Sequence, residues 1–261
     1  MPRPARTLLP LLALLAIASC DSDDSPNQPT PTPVEPPFWG TIFISPDILT
    51  DDDPTTFEGL TYVGQGSRSM YDRRLADFVT VEAFLFDATF DDGLAAEVQV
   101  NPEFEDHEVA QVEAEKYAEA IGRLPTVLRE DVETVWIHQG DQLFGGGNNN
   151  ILIHTEQGEQ YIEDGILHET LLHEAVHTSL DAAHANHPTW RAAQEADPTF
   201  ISDYAEEFPL REDLAESFVP WFAVRYRADR IPQSLYDTIV ETIPNRIEYF
   251  NSRGFDMYPV D

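Results

Sequence analysis

The stretch QYIEDGILHETLLHEAVHTSL, residues 160–180, decides how the rest of the chain is read. Ile162, Ile166, Leu171, Leu172, Ala175, Val176 and Leu180 make it a mostly apolar helix candidate over about 160–180. Histidine and glutamate inside such a helix are unusual unless they are paired or bind a metal. Here they form His173-Glu174-Ala175-Val176-His177, which fits the pattern H-E-x-x-H. Residues i and i+4 of a helix stand one turn apart on one face, so two imidazoles at this spacing can share one Zn²⁺. Glu174, beside the first of them, reaches the water on that metal and can take its proton. A core helix with two incidental histidines is the plainer reading of the same residues, and the apolar setting argues against it.

A zinc site needs a third protein ligand. His184 is nearest in sequence, but a straight helix would carry it about 10 Å past His177. Leu180 and Ala183 stand where a turning glycine and a third histidine would be needed to bring the chain back. His168, five residues before His173, belongs on the opposite helix face. The stronger candidate lies 35 residues after His177, in Arg211-Glu212-Asp213-Leu214-Ala215-Glu216-Ser217-Phe218. Glu212 and Glu216 are again i and i+4, so one can bind the metal while the other holds the free nitrogen of a ligand histidine. A solvated acidic first turn, favoured by the helix dipole, is the alternative for these two glutamates.

His173-Glu174-Ala175-Val176-His177, then Tyr204, then Glu212 to Phe218 as E-x-x-A-E-x-F, resembles the gluzincin peptidases. Within them it is most similar to the anthrax lethal factor and Pro-Pro endopeptidase group. The resemblance covers roughly residues 150–220 and implies a zincin-like α/β (α+β) fold with one zinc per chain. It assigns His173, His177 and Glu212 as ligands, Glu174 as general base and Glu216 as the acid behind a ligand. Tyr204 falls one residue further from Glu212 than the family spacing. It would donate to the oxyanion, with core packing as the competing role. Asp181, four residues after His177, stands where such peptidases often carry an acid.

The N-terminus carries a different signal. Arg3 and Arg6 precede an apolar stretch from Leu8 to Ile17, too short to span a bilayer as a permanent helix. It ends in Ile17-Ala18-Ser19-Cys20, which resembles the lipobox of bacterial lipoproteins. That resemblance implies a signal peptide over residues 1–20, lipidation of Cys20, and export to the periplasmic face or the cell surface. Asp21 resembles an inner-membrane retention signal. Residues 21–37, DSDDSPNQPTPTPVEPP, lack the apolar content to fold and read as a tether. Cys20 is the only cysteine among 261 residues, so no disulfide framework competes for it.

Charge narrows the partners. The chain has 15 basic and 48 acidic residues, net −33, and removal of Arg3 and Arg6 with the signal would make it −35. Such a surface repels nucleic acid and anionic lipid. Asp51-Asp52-Asp53 lacks the spaced ligands of an EF-hand loop, which leaves a solvated face as the simpler reading and calcium as the alternative.

The globular part is expected over residues 38–261: a β-rich start at 38–103, a catalytic core at 104–228 and a C-terminal helix at 233–250. Strands are expected at 40–44, at 79–90 and 94–100 around Asp91-Asp92-Gly93, and at 134–138 and 151–154. A helix at 107–123, with Val109, Val112, Ala114, Tyr117, Ala118 and Ile121 at helical spacing, should back a twisted mixed sheet. Further helices are expected near 188–196 and 210–228. Residues 151–154 are the expected free sheet edge on which a peptide would add as a strand. The function that follows is zinc-dependent peptide hydrolysis. The rivals are a non-catalytic lipid-anchored binding protein on the same fold and a zinc hydrolase of a non-peptide amide.

Overall fold

In the computed structural model, residues 34–45 and 47–261 are described. The expected signal, Cys20 and most of the tether lie outside the described residues. The architecture starts from a long antiparallel hairpin, β1 (Phe57–Asp72) and β2 (Asp77–Phe90), closed by a turn over 73–76. Arg74 pins that turn: its guanidinium donates to Asp72 at 2.7 Å and to Glu103 at 2.9 Å. Asp91-Asp92-Gly93 makes the expected second turn, with Gly93 at φ +86° and its N–H on the Phe90 carbonyl at 3.0 Å, and leads into β3 (Ala95–Val100).

The chain then switches period. Asp106 caps α1 (His107–Gly122) by accepting the Val109 N–H at 2.9 Å. Ala110, Ala114, Tyr117, Ala118 and Ile121 are buried, whereas Val109 and Val112, assigned above to the apolar stripe, face solvent. The helix stops at Gly122, where a Cβ would lie 2.5 Å from Thr55 Oγ1. After a short α2 (Thr126–Arg129) the chain returns as β4 (Thr134–His138), parallel to β3, a pairing that needs the crossover α1 supplies. Next come β5 (Gly145–Gly147) and β6 (Asn150–His154), giving one six-stranded mixed sheet in the order β1-β2-β3-β4-β6-β5. The protein is thus a mixed α/β fold of the α+β kind. The expected free edge at 151–154 is internal: β6 runs between β4 and β5, and the edge belongs to the three glycines of β5.

The expected helix at 160–180 is two helices, α3 (Thr155–Glu163) and α4 (Leu167–Ser179), broken at Gly165, whose φ of +74° no helix accommodates. Packed beside each other, α1 lies on β1–β3 and α4 on β5 and β6. Alternate residues of β2 serve two faces, Phe84 and Phe86 toward the main core and Ala83 and Leu85 toward a small cluster with Met70 and Trp136. The rest is helical: α5 (Asp181–His184), α6 (Pro188–Ala196), α7 (Asp203–Glu207), α8 (Asp213–Tyr226), α9 (Gln233–Thr242) and α10 (Pro244–Asn251). Pro244 has no N–H to continue α9, so the single helix expected at 233–250 bends into two. Buried Arg246 ties this part together through Asp197 at 2.9 Å and Asp213 at 3.0 Å.

Residues 40–44 are not a strand. They run as an extended segment whose amides are taken by buried carboxylates: Ile42 N–H by Glu216 at 3.2 Å and Ile44 N–H by Glu169 at 2.7 Å. Strand β1, the longest among the described residues, is not among the strands expected from the sequence. Its three glycines and largely solvated face leave little alternation to detect. Among the described residues no helix is long and apolar enough to cross a membrane.

Candidate metal centre

On α4, His173 and His177 point their Nε2 atoms at one another, 3.1 Å apart. Their helix is fixed from below by an unusual approach. A Cβ on Gly146 would lie 1.9 Å from the Glu174 carbonyl oxygen, so β5 and α4 touch backbone to backbone at the middle of the motif. Thr178 reinforces the contact, accepting the Gly147 N–H at 2.9 Å and bonding the Asn150 carbonyl at 2.9 Å.

Helix α8 packs across α4 and delivers the third group. Glu212 occupies its N-cap, and its Oε2 lies 3.2 Å from His177 Nε2 and 3.5 Å from His173 Nε2. These three atoms form a small triangle of a kind that could hold a metal ion. Two acids stand behind the imidazoles. Asp181 Oδ2 is 2.8 Å from His177 Nδ1. Glu216 Oε1 is 3.6 Å from His173 Nδ1, slightly long for a hydrogen bond, and neither atom has another partner among the described residues. The second oxygen of Glu216 accepts from Ser202 Oγ at 2.7 Å and from Ile42.

The electrostatics favour a cation at this point. Burial would pull the His177 pKa down, but its bonds to Asp181 and Glu212 outweigh that and push it up to about 10. Burial likewise works against the Glu212 carboxylate, yet the histidines hold its pKa far below the usual range. Burial keeps Glu216 raised. A site that stabilises an extra proton between two imidazoles and a carboxylate can exchange it for a metal ion.

The triangle opens on a cleft of about 630 Å³ whose wall includes Glu174, Asp181 and Tyr204. No other group of the described residues hydrogen-bonds the Glu174 carboxylate. Tyr204 is half buried beside Glu212 and Arg211, and burial raises its pKa. The structure therefore brings together His173, His177, Glu212, Glu174, Tyr204, Asp181 and Glu216. It sends His184 elsewhere, onto Tyr249 Oη at 2.7 Å, and leaves His168 beside Asp51. Asp53 is spent on Arg230 at 2.6 Å and Arg227 at 3.4 Å, which gives the acidic run a structural partner.

Several cleft residues escaped the sequence reading. Gly146 sits in the run FGGGNNN, residues 144–150, whose glycines give the backbone freedom without marking which element approaches them. Arg73 comes from the far hairpin, and nothing local to it marks it. Arg211 adjoined the quoted glutamates; its Nε donates to Glu212 Oε1 at 2.6 Å, holding the oxygen that does not face the histidines. Set against protein-family models, curated proteins and solved structures, the chain matches none of them.

Proposed function

We propose that this chain is a zinc-dependent endopeptidase of zincin-like fold, with His173, His177 and Glu212 as the metal ligands. The observation that carries this reading is the donor triangle. Its edges of 3.1, 3.2 and 3.5 Å resemble the spacing of atoms around a tetrahedral zinc. Bonds of about 2.0–2.1 Å at tetrahedral angles set ligand atoms about 3.3 Å apart. Two nitrogens and one oxygen, with the fourth side open to the cleft, match a catalytic rather than a closed structural site.

Zinc in this position would activate water at neutral pH and polarise a carbonyl. The chain's own residues supply the rest. Glu174, unpaired at the cleft and adjacent in sequence to a ligand, takes the proton of the attacking water and returns it to the leaving amine. Tyr204 donates its hydroxyl to the developing oxyanion. Asp181 fixes the ring of His177, Glu216 faces that of His173, and Arg211 holds the outer oxygen of Glu212. Substrate would lie along β5, which lines the cleft through Gly146 and Gly147.

The test is metal content together with a peptide-library digest of wild type and Glu174→Gln. Both should hold one zinc per chain, and the variant should lose roughly 100- to 10,000-fold in hydrolysis. Equal turnover by the two forms on any cleaved peptide would sink the assignment. The same reading places the enzyme at the bacterial cell envelope through lipidated Cys20, acting on peptides or proteins there. Cys20→Ala should then move the chain out of the membrane fraction, and unchanged partitioning would dispose of the anchor.

A further inference from the structure

We propose that Arg73 makes the cleft selective for a substrate carboxylate, an inference that rests on the peptidase reading above. Arg73 lines the same cleft as Glu174 and His173, although it comes from the tip of the β1–β2 hairpin. The hairpin brings it over β5, where a Cβ on Gly145 would lie 2.7 Å from Arg73 Nη2. The guanidinium occupies the space that a side chain at this edge position would take.

What sets Arg73 apart is its lack of a partner. Every other arginine among the described residues has an acid, a carbonyl or an aromatic ring against its side chain. Arg74, the next residue, is held by both Asp72 and Glu103. Even the arginines without an acid are engaged: Arg191 on the Pro209 carbonyl, Arg225 over Tyr226 and Arg253 over Tyr249. In a chain with 48 acids and 15 bases, a cation left unpaired in the cleft that Glu174 also lines is the exception. Its placement is also preorganised, because Arg74 anchors the turn and the Ala76 N–H donates to the Arg73 carbonyl at 3.3 Å.

A planar guanidinium with free N–H groups matches a carboxylate in bidentate geometry. The carboxylate can belong to an Asp or Glu side chain near the scissile bond or to a free peptide C-terminus. Leu143 and Phe43, both exposed at the cleft, would receive apolar atoms of the same substrate.

The experiment uses the full chain loaded with zinc and two matched peptide series. One places Glu or Gln at each position flanking the cleaved bond; the other carries a free or an amidated C-terminus. Wild type should favour the carboxylate member of one series by roughly 10- to 100-fold in kcat/KM. The series that responds identifies the source of the carboxylate. Arg73→Ala should bring that ratio close to one, and Arg73→Lys should restore part of it. A wild-type ratio near one in both series, or a preference that survives Arg73→Ala, overturns the proposal. If no peptide is cleaved, the peptidase reading fails separately, and dye-labelled versions of the same peptides still decide the role of Arg73. Binding of the carboxylate peptide weakened about tenfold or more by Arg73→Ala supports it, and equal binding overturns it.

Discussion

Among the described residues two pairs of adjacent histidines have opposite characters. His173 and His177 stand one turn apart on α4, ring centroids 4.9 Å apart. His138 and His154 stand opposite one another on β4 and β6, rings stacked at 5.3 Å. Proximity is alike in the two, but the strand pair is fully buried, whereas His173 and His177 line the cleft and His177 is only part-buried. Their surroundings differ. The helical pair has Glu212 between its Nε2 atoms and acids behind its Nδ1 atoms, so positive charge is favoured there. The strand pair turns one Nδ1 to the Asn101 amide and the other to the Gln139 carbonyl, at 3.0 and 2.9 Å. Its Nε2 atoms meet no partner among the described residues. Burial holds the His138 pKa down to about 4, against the weaker pull of Asp72. Paired histidines could hold a metal ion where carboxylates converge on them at an open cleft; nearness alone leaves them neutral.

The largest test of that contrast removes the converging carboxylate. Glu212→Ala should abolish zinc binding after dialysis against a weak chelator, whereas His184→Ala should leave the metal in place. A metal-free His184→Ala with a zinc-loaded Glu212→Ala would reverse the ligand assignment. Next in size, Glu216→Ala should weaken metal affinity by about 10- to 100-fold, the usual cost of removing a group behind a ligand. Zinc titration with a competing indicator measures it, and an unchanged affinity would reduce Glu216 to holding Ile42 and Ser202.

The smallest effect belongs to the strand pair. A histidine whose pKa is lower folded than unfolded contributes stability above its unfolded value. That stability is lost as pH falls from about 6.5 toward about 4. Between pH 7 and 5 this amounts to about 2 kcal/mol for His138. His138→Gln should therefore lose its stability gap to wild type by about that much over the interval, read by urea unfolding at both pH values. A gap that stays constant would mean that His138 takes up its proton as readily folded as unfolded, so that burial does not hold its pKa down. Other groups titrate in the same range, notably buried Glu169, raised to about 7, and the comparison with the variant cancels those that do not touch His138.

Much of this was written locally. The i, i+4 spacing of His173 and His177, the turn at Asp91-Asp92-Gly93 and the cap at Asp106 depend on neighbours a few residues away. So does the pairing of Glu212 with Glu216. The chemistry that these side chains can perform is a property of their types, and the sequence alone determined which residues could form a centre. Tertiary structure decided whether they meet. It set Glu212 rather than His184 against the imidazoles, because α8 crosses α4 while α5 carries His184 toward Tyr249. It moved the sheet edge from β6 to β5 and fitted Gly146 against the Glu174 backbone. It also carried Arg73 across the sheet from a hairpin about a hundred residues before the motif. Contacts between residues so distant along the chain leave no periodicity in the sequence, since each is set by how separate elements pack rather than by the spacing within one.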